Sequence, residues 1–158
     1  ATVIGTVYQY EHLRGGGAKN GWSDPPQWSL VSDVVGVVDV LGITSYPFFD
    51  HDTPAAVPAD YYAELLARFP GPVAFTELGW RAEPSPPYAG SADDQAAAPA
   101  LLLAKVPPER MRYATWLFLN DPLGDTGPFA TTGLRDTSGA PRPVDATWRA
   151  LVEASQSP

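Results

Sequence analysis

Four short apolar runs, each followed by a loop and then a helical pattern, leave this chain few ways to fold. The runs cover residues 2–10, 37–46, 72–80 and 111–119, and are rich in valine, isoleucine, threonine and aromatic residues, the composition of half-buried or buried strands. Pro and Gly punctuate them: Pro47 stops the second, and Phe69-Pro70-Gly71-Pro72 leads into the third. The second is almost continuously apolar, as strands covered on both faces tend to be. Helical patterns fall between them. Asp24-Pro25-Pro26 opens a short helix through Gln27 to Val31, since proline is tolerated in a first turn. Residues 58–69 place Tyr61, Leu65 and Phe69 on one stripe, widened by Tyr62 and Leu66. Ser91 with Asp93 and Asp94 reads as an N-cap and acidic first turn of a helix reaching Lys105. Pro99 is expected to kink that helix or to mark its true first turn. Asp145 is the expected N-cap of a last helix, over 145–154, with Trp148, Leu151 and Val152 on one face.

Strands alternating with helices mean βαβ units and a parallel sheet. Four such units amount to half of a (β/α)8 barrel, and a whole one needs about 250 residues against the 158 here. The expected fold is therefore α/β, a (βα)4 half of a TIM barrel with parallel strands, forming one unit over 1–158.

The third run, Val73-Ala74-Phe75-Thr76-Glu77-Leu78-Gly79-Trp80, ends on a carboxylate followed by glycine and tryptophan. The carboxyl end of a buried strand is where α/β folds place their chemistry, although a strand cap or an arginine partner is an equal reading of Glu77 by itself. The net charge of −8, with only Lys19 and Lys105 as lysines, argues against nucleic acid or an anionic membrane surface as partner. No apolar run approaches the roughly 18 residues that would span a bilayer. The chain has no cysteine, which removes disulfides and thiolate metal sites, and His12 and His51 are too few for a histidine-rich metal centre. No cofactor is expected. Ala1 opens a strand-like run without a basic, apolar leader, as in a mature secreted protein, a processed fragment or an excised domain alike.

With those residues in view, the chain resembles the C-terminal half of the clan A retaining (β/α)8-barrel glycoside hydrolases. Val38 to Pro47 looks like their sixth strand, Val73 to Trp80 like their seventh, and Ser91-Ala92-Asp93-Asp94-Gln95 like the start of their seventh helix. Tyr113 to Asp121 looks like their eighth strand. Gly133-Leu134-Arg135-Asp136, Pro141-Arg142-Pro143 and Trp148 look like the passage into their last helix. The resemblance implies hydrolysis of O-glycosidic bonds in an oligo- or polysaccharide, with Glu77 as nucleophile, Trp80 and Trp116 stacking on sugar, and an extracellular setting. Tyr46, at the matching end of the second strand, is placed to hydrogen-bond Glu77 or a ring oxygen. A retaining glycosidase needs a second carboxyl group about 5–5.5 Å from the first, to protonate the leaving oxygen.

Here the chain departs from the pattern. The family's acid/base carboxylate ends the fourth strand, this chain resembles strands five to eight, and it contains no Asn-Glu pair. Glu11, at the end of the first strand, is the remaining catalytic candidate, although the family does not assign it that role and a solvated strand-end charge is the plainer reading. Asp50, Asp52, Glu83 and Asp121 are loop carboxylates at the same end, expected on the rim or binding sugar hydroxyls, Asp121 foremost. Four strands leave two sheet edges and one apolar face open. Either another polypeptide supplies the missing N-terminal half or two copies pair as a homodimer. The competing reading is a non-catalytic carbohydrate-binding or scaffold half-barrel.

Overall fold

The computed structural model describes residues 5–16, 19 and 25–156; the sequence readings on residues 2–4 and on Asp24 lie outside them. Four strands, β1 (Gly5–Gln9), β2 (Val40–Ser45), β3 (Val73–Leu78) and β4 (Met111–Trp116), form one sheet in sequence order, every pairing parallel. Helices α1 (Tyr10–Arg14), α2 (Ser29–Val34), α3 (Ala63–Arg68), α4 (Ala92–Leu103) and α5 (Pro143–Gln156) lie between and after the strands. This is the (βα)4 half-barrel expected of the alternation.

Side chains from alternate strand positions split between two faces. Leu41 and Ile43 of β2 and Val73 and Phe75 of β3 are fully buried, in one cluster with Tyr62, Leu65, Ala98 and Leu102 from the helical layer. The other face is open. Val7 is 51% exposed and Tyr113 50%, and with Gly42, Ala74 and Thr76 they line a shallow hollow of 270 Å³. A Cβ on Gly42 would come within 2.8 Å of the Val7 side chain and 3.0 Å of Thr76, so β2 needs glycine where the concave face is tightest.

Local chemistry explains where the elements differ from expectation. The Ser91 hydroxyl does cap α4, accepting the Asp94 N–H at 3.0 Å, but the helix runs unbroken through Pro99 to Leu103. Glu11 and His12 belong to a short helix, not to the strand end: the Gln9 side chain accepts the His12 N–H and Gly15 closes the turn at φ 71°. The segment over 58–69 is helical only from Ala63, although its stripe holds, with Tyr61, Tyr62, Leu65 and Phe69 all buried. Asp145 is not an N-cap. Pro143 starts α5, where its missing N–H costs nothing, and Asp145 in the first turn faces Arg149 and Arg135. The run over 111–119 breaks at Leu117, whose N–H turns to the Leu78 carbonyl (2.9 Å). Beyond it, β5 (Phe118–Asn120) pairs with β6 (Gly133–Arg135) as a separate two-stranded sheet.

Candidate functional site

The site begins with an irregularity in β3. Ile43 is opposite Phe75, but Thr44 is opposite Glu77, so β3 carries one residue more than β2 over that step. Such a bulge re-aims the side chains beyond it. The Glu77 carboxylate, partly exposed, ends up accepting a hydrogen bond from the Tyr46 hydroxyl, one of the two partners the sequence offers for that tyrosine. Burial, and then the Glu77 carboxylate itself, pushes the Tyr46 phenol well above its ordinary range, so Tyr46 stays a donor at every physiological pH.

Behind Tyr46 sits Glu11, and it is no solvated charge. It is 0% exposed. Its Oε1 accepts the Tyr46 N–H at 3.0 Å, the Ser45 hydroxyl at 2.9 Å and the Tyr61 hydroxyl at 3.1 Å, while Gln9 Nε2 donates to Oε2. Ser45 gives its single proton to Glu11, so the Tyr62 hydroxyl, 2.9 Å away, is the donor to Ser45. Burial pushes the Glu11 carboxyl up to about 7, against the hydrogen bonds from Tyr46 and Ser45 that favour its charged form. With both oxygens occupied and no exposed surface, this second catalytic candidate of the sequence lies behind the site and not at its mouth.

The tryptophans are enclosed as well. Trp80 is 0% exposed, edge-on to Phe48 at 6.2 Å between ring centres. Trp116 is 5% exposed, its indole N–H donates to the Thr132 carbonyl at 2.7 Å, and its ring lies 5.7 Å from that of Trp148. Asp121 is likewise committed: Oδ1 accepts the Gly133 N–H at 2.7 Å and Oδ2 pairs with Arg142 at 2.5 Å. The rim carboxylates Asp50, Asp52 and Glu83 meet Arg14, Lys19 and Arg142 respectively.

What does open at this end is a hollow of 340 Å³ lined by Gln9, His12, Tyr46, Phe49, Tyr88, Pro128 and Phe129. Its rings meet edge to face: Tyr46 and Phe129 at 4.8 Å, Phe49 and Tyr88 at 5.3 Å, Phe49 and Phe129 at 5.7 Å. Two residues that sequence reasoning passes over build this wall. The Arg81 guanidinium donates to the carbonyls of Glu83, Gly127 and Pro128, tying the loop after β3 to the loop carrying Phe129. The buried Gln95 amide reaches the carbonyls of Trp80, Thr131 and Gly133 at 3.1–3.2 Å. Neither shows a sequence signal for this role, because both serve loop carbonyls that only the fold brings together.

No protein-family model and no curated protein matches the chain. Solved structures do. The GH2 beta-galacturonidase of Eisenbergiella tayi superposes at a TM-score of 0.56 with 20% identity, over 75% of this chain and 24% of that one. The Rhizomucor miehei beta-1,3-glucanosyltransferase gives 0.58 with 14% identity, over 90% and 49%. A Cellvibrio japonicus xylanase gives 0.54 with 18% identity, over 82% and 44%. The fold is glycosidase-like. The chain spans less than half the length of each of these proteins, and the identities support the fold alone. Among the described residues no helix is long and apolar enough to cross a membrane.

Proposed function

We propose that this chain is the C-terminal half of a clan A retaining glycoside hydrolase barrel, secreted, with Glu77 as nucleophile. The observation that carries the reading is the Tyr46–Glu77 hydrogen bond at the carboxyl ends of two parallel strands, in a fold shared with glycosidases. A partly exposed carboxylate on a rigid strand end is held in line for attack, and the Tyr46 hydroxyl beside it fixes its orientation. One Glu77 oxygen bonds to the anomeric carbon as the bond to the leaving oxygen breaks. A second carboxyl group protonates that oxygen, then takes a proton from the water that cleaves the glycosyl ester. The second carboxyl comes from the complementary half of the barrel, since the buried and fully bonded Glu11 does not supply it. The sugar rests against the aromatic hollow of Tyr46, Phe49, Tyr88 and Phe129. Flat apolar faces suit pyranose C–H groups and exclude water.

The test uses the intact protein and an activated 2-fluoro glycoside, which esterifies a retaining nucleophile and then stalls. The expected result is a glycosyl adduct on the peptide containing Glu77, and Glu77→Gln slowing turnover of aryl glycosides by on the order of 10⁴-fold or more. An adduct on another carboxylate, or turnover undiminished in Glu77→Gln, rejects the assignment. Sugar binding with no turnover of any glycoside would instead mark a carbohydrate-binding half-barrel.

A further inference from the structure

We infer that Glu11 is a positioning residue, whose acceptor oxygen fixes the Tyr46 backbone so that the Tyr46 hydroxyl meets Glu77. The inference rests on Glu77 being the nucleophile, as proposed above, but concerns a different residue and a different step.

Tyr46 stands where β2 has ended and a 3-10 turn, Pro47–Phe49, begins. Its backbone, at φ −134° and ψ 70°, belongs to neither element, so its N–H needs a partner from outside the sheet. Glu11 Oε1 is that partner, at 3.0 Å. The same oxygen gathers the Ser45 and Tyr61 hydroxyls, and Gln9 holds the other. One carboxylate thus joins β1, α1, the end of β2 and the turn before α3 at a single point. Only one covalent residue separates that point from the ring whose hydroxyl reaches Glu77. A side chain used merely for packing would not need four donors, and a carboxylate used for chemistry would not have all of them filled. Displacing an anchor of this kind by an ångström shifts a reacting group out of line, at a cost in rate far larger than its cost in binding.

Two substitutions separate position from charge. Glu11→Asp keeps the charge and withdraws the acceptor by one methylene; Glu11→Gln keeps an acceptor oxygen and removes the charge. The readouts, on the intact protein, are the Glu77 carboxyl resonance at one fixed pH, from NMR of carboxyl-labelled glutamate, and kcat and KM on an aryl glycoside. With Glu11 as anchor, Glu11→Asp moves the Glu77 resonance to where Tyr46→Phe puts it, because both variants lose the Tyr46 hydrogen bond to the carboxylate. It also lowers kcat roughly tenfold to a hundredfold with little change in KM, while Glu11→Gln stays near wild type. In a Tyr46→Phe background, Glu11→Asp has no further effect on either readout. The inference is overturned if Glu11→Asp leaves the resonance where it was, if Glu11→Gln alone moves it, or if the Glu11 and Tyr46 effects multiply independently. The resonance is read without turnover, so it decides the positioning role even where Glu77→Gln shows that Glu77 is not the nucleophile.

Discussion

Two strand ends in this sheet carry a carboxylate and a tryptophan within a few residues of each other, and they do opposite things. After β3, Glu77 is partly exposed and hydrogen-bonded by Tyr46 beside an open aromatic hollow. After β4, Trp116 and Asp121 are buried and fully engaged with Thr132, Gly133 and Arg142. The backbone downstream of each strand makes the difference. The chain leaving β4 returns as β6, and Gly133 lets the two segments touch: a Cβ there would lie 2.5 Å from the Asp121 nitrogen. The chain leaving β3 is instead tied by Arg81 to the loop carrying Phe129, and Glu77 stays partly exposed. Residue type at a strand end therefore does not define a site; the segment that closes over it decides.

The sharpest way to break this comparison is to remove a tryptophan. Trp80 is enclosed in the core, so Trp80→Ala is expected to lower unfolding free energy by about 3–5 kcal/mol, seen as a fall in the denaturant midpoint. Unchanged stability with lost sugar affinity would mean the ring is a platform after all. Asp121→Ala tests the β4 side in the same assay. It leaves the Arg142 guanidinium with only the exposed Glu83 carboxylate, at 3.6 Å, and the Gly133 N–H without its acceptor, and should cost about 3–5 kcal/mol. Activity per folded molecule should hold; a loss of turnover without a loss of stability would move Asp121 back among the substrate contacts.

The architecture and one contact of the site are legible in the sequence, and the reasons are local. Period and punctuation place all four strands and the Ser91 cap, because strand runs and caps depend on neighbours along the chain. The Tyr46–Glu77 contact is one of two partners the sequence offers for that tyrosine, because both residues end adjacent strands. Trp80, Trp116 and Asp121 read as substrate contacts in sequence and the fold buries all three, for one shared reason: exposure depends on loops that return from tens of residues away. Glu11 is hidden more deeply. Its four donors come from Gln9, Ser45, Tyr46 and Tyr61, and no spacing rule brings those residues to one oxygen pair. The bulge that puts Glu77 opposite Thr44 is likewise invisible in a run that reads as an even strand.

The buried carboxyl gives a pH signature that a solvated one would lack. Glu11 titrates near 7 in the folded chain against an ordinary 4.5, so between those values the native state binds the extra proton. Stability then falls as pH rises from about 4.5 to 7 and is flat above, by a total of about 3 kcal/mol for this group. Glu11→Gln removes that slope. Parallel stability–pH curves for the two proteins over this window would show that the Glu11 carboxyl is not held in its neutral form by burial.

The smallest effect on stability should accompany the largest on recognition. Tyr88 is only partly buried and lies against Phe48 and Phe49, with ring centres 6.0 and 5.3 Å away, so Tyr88→Ala should cost about 1 kcal/mol of folding free energy. If the aromatic hollow is where a pyranose rests, the same change weakens oligosaccharide binding by roughly tenfold, the worth of one good ring face. Phe129→Ala should do the same from the opposite wall, while Leu119→Ala, an exposed apolar side chain on β5, should change neither. Equal loss of binding in all three variants would mean that general loosening of the loops, not the hollow, governs recognition. Loss confined to Tyr88 and Phe129 would place the sugar on the β3 side of the mouth, beside the carboxylate that Tyr46 holds.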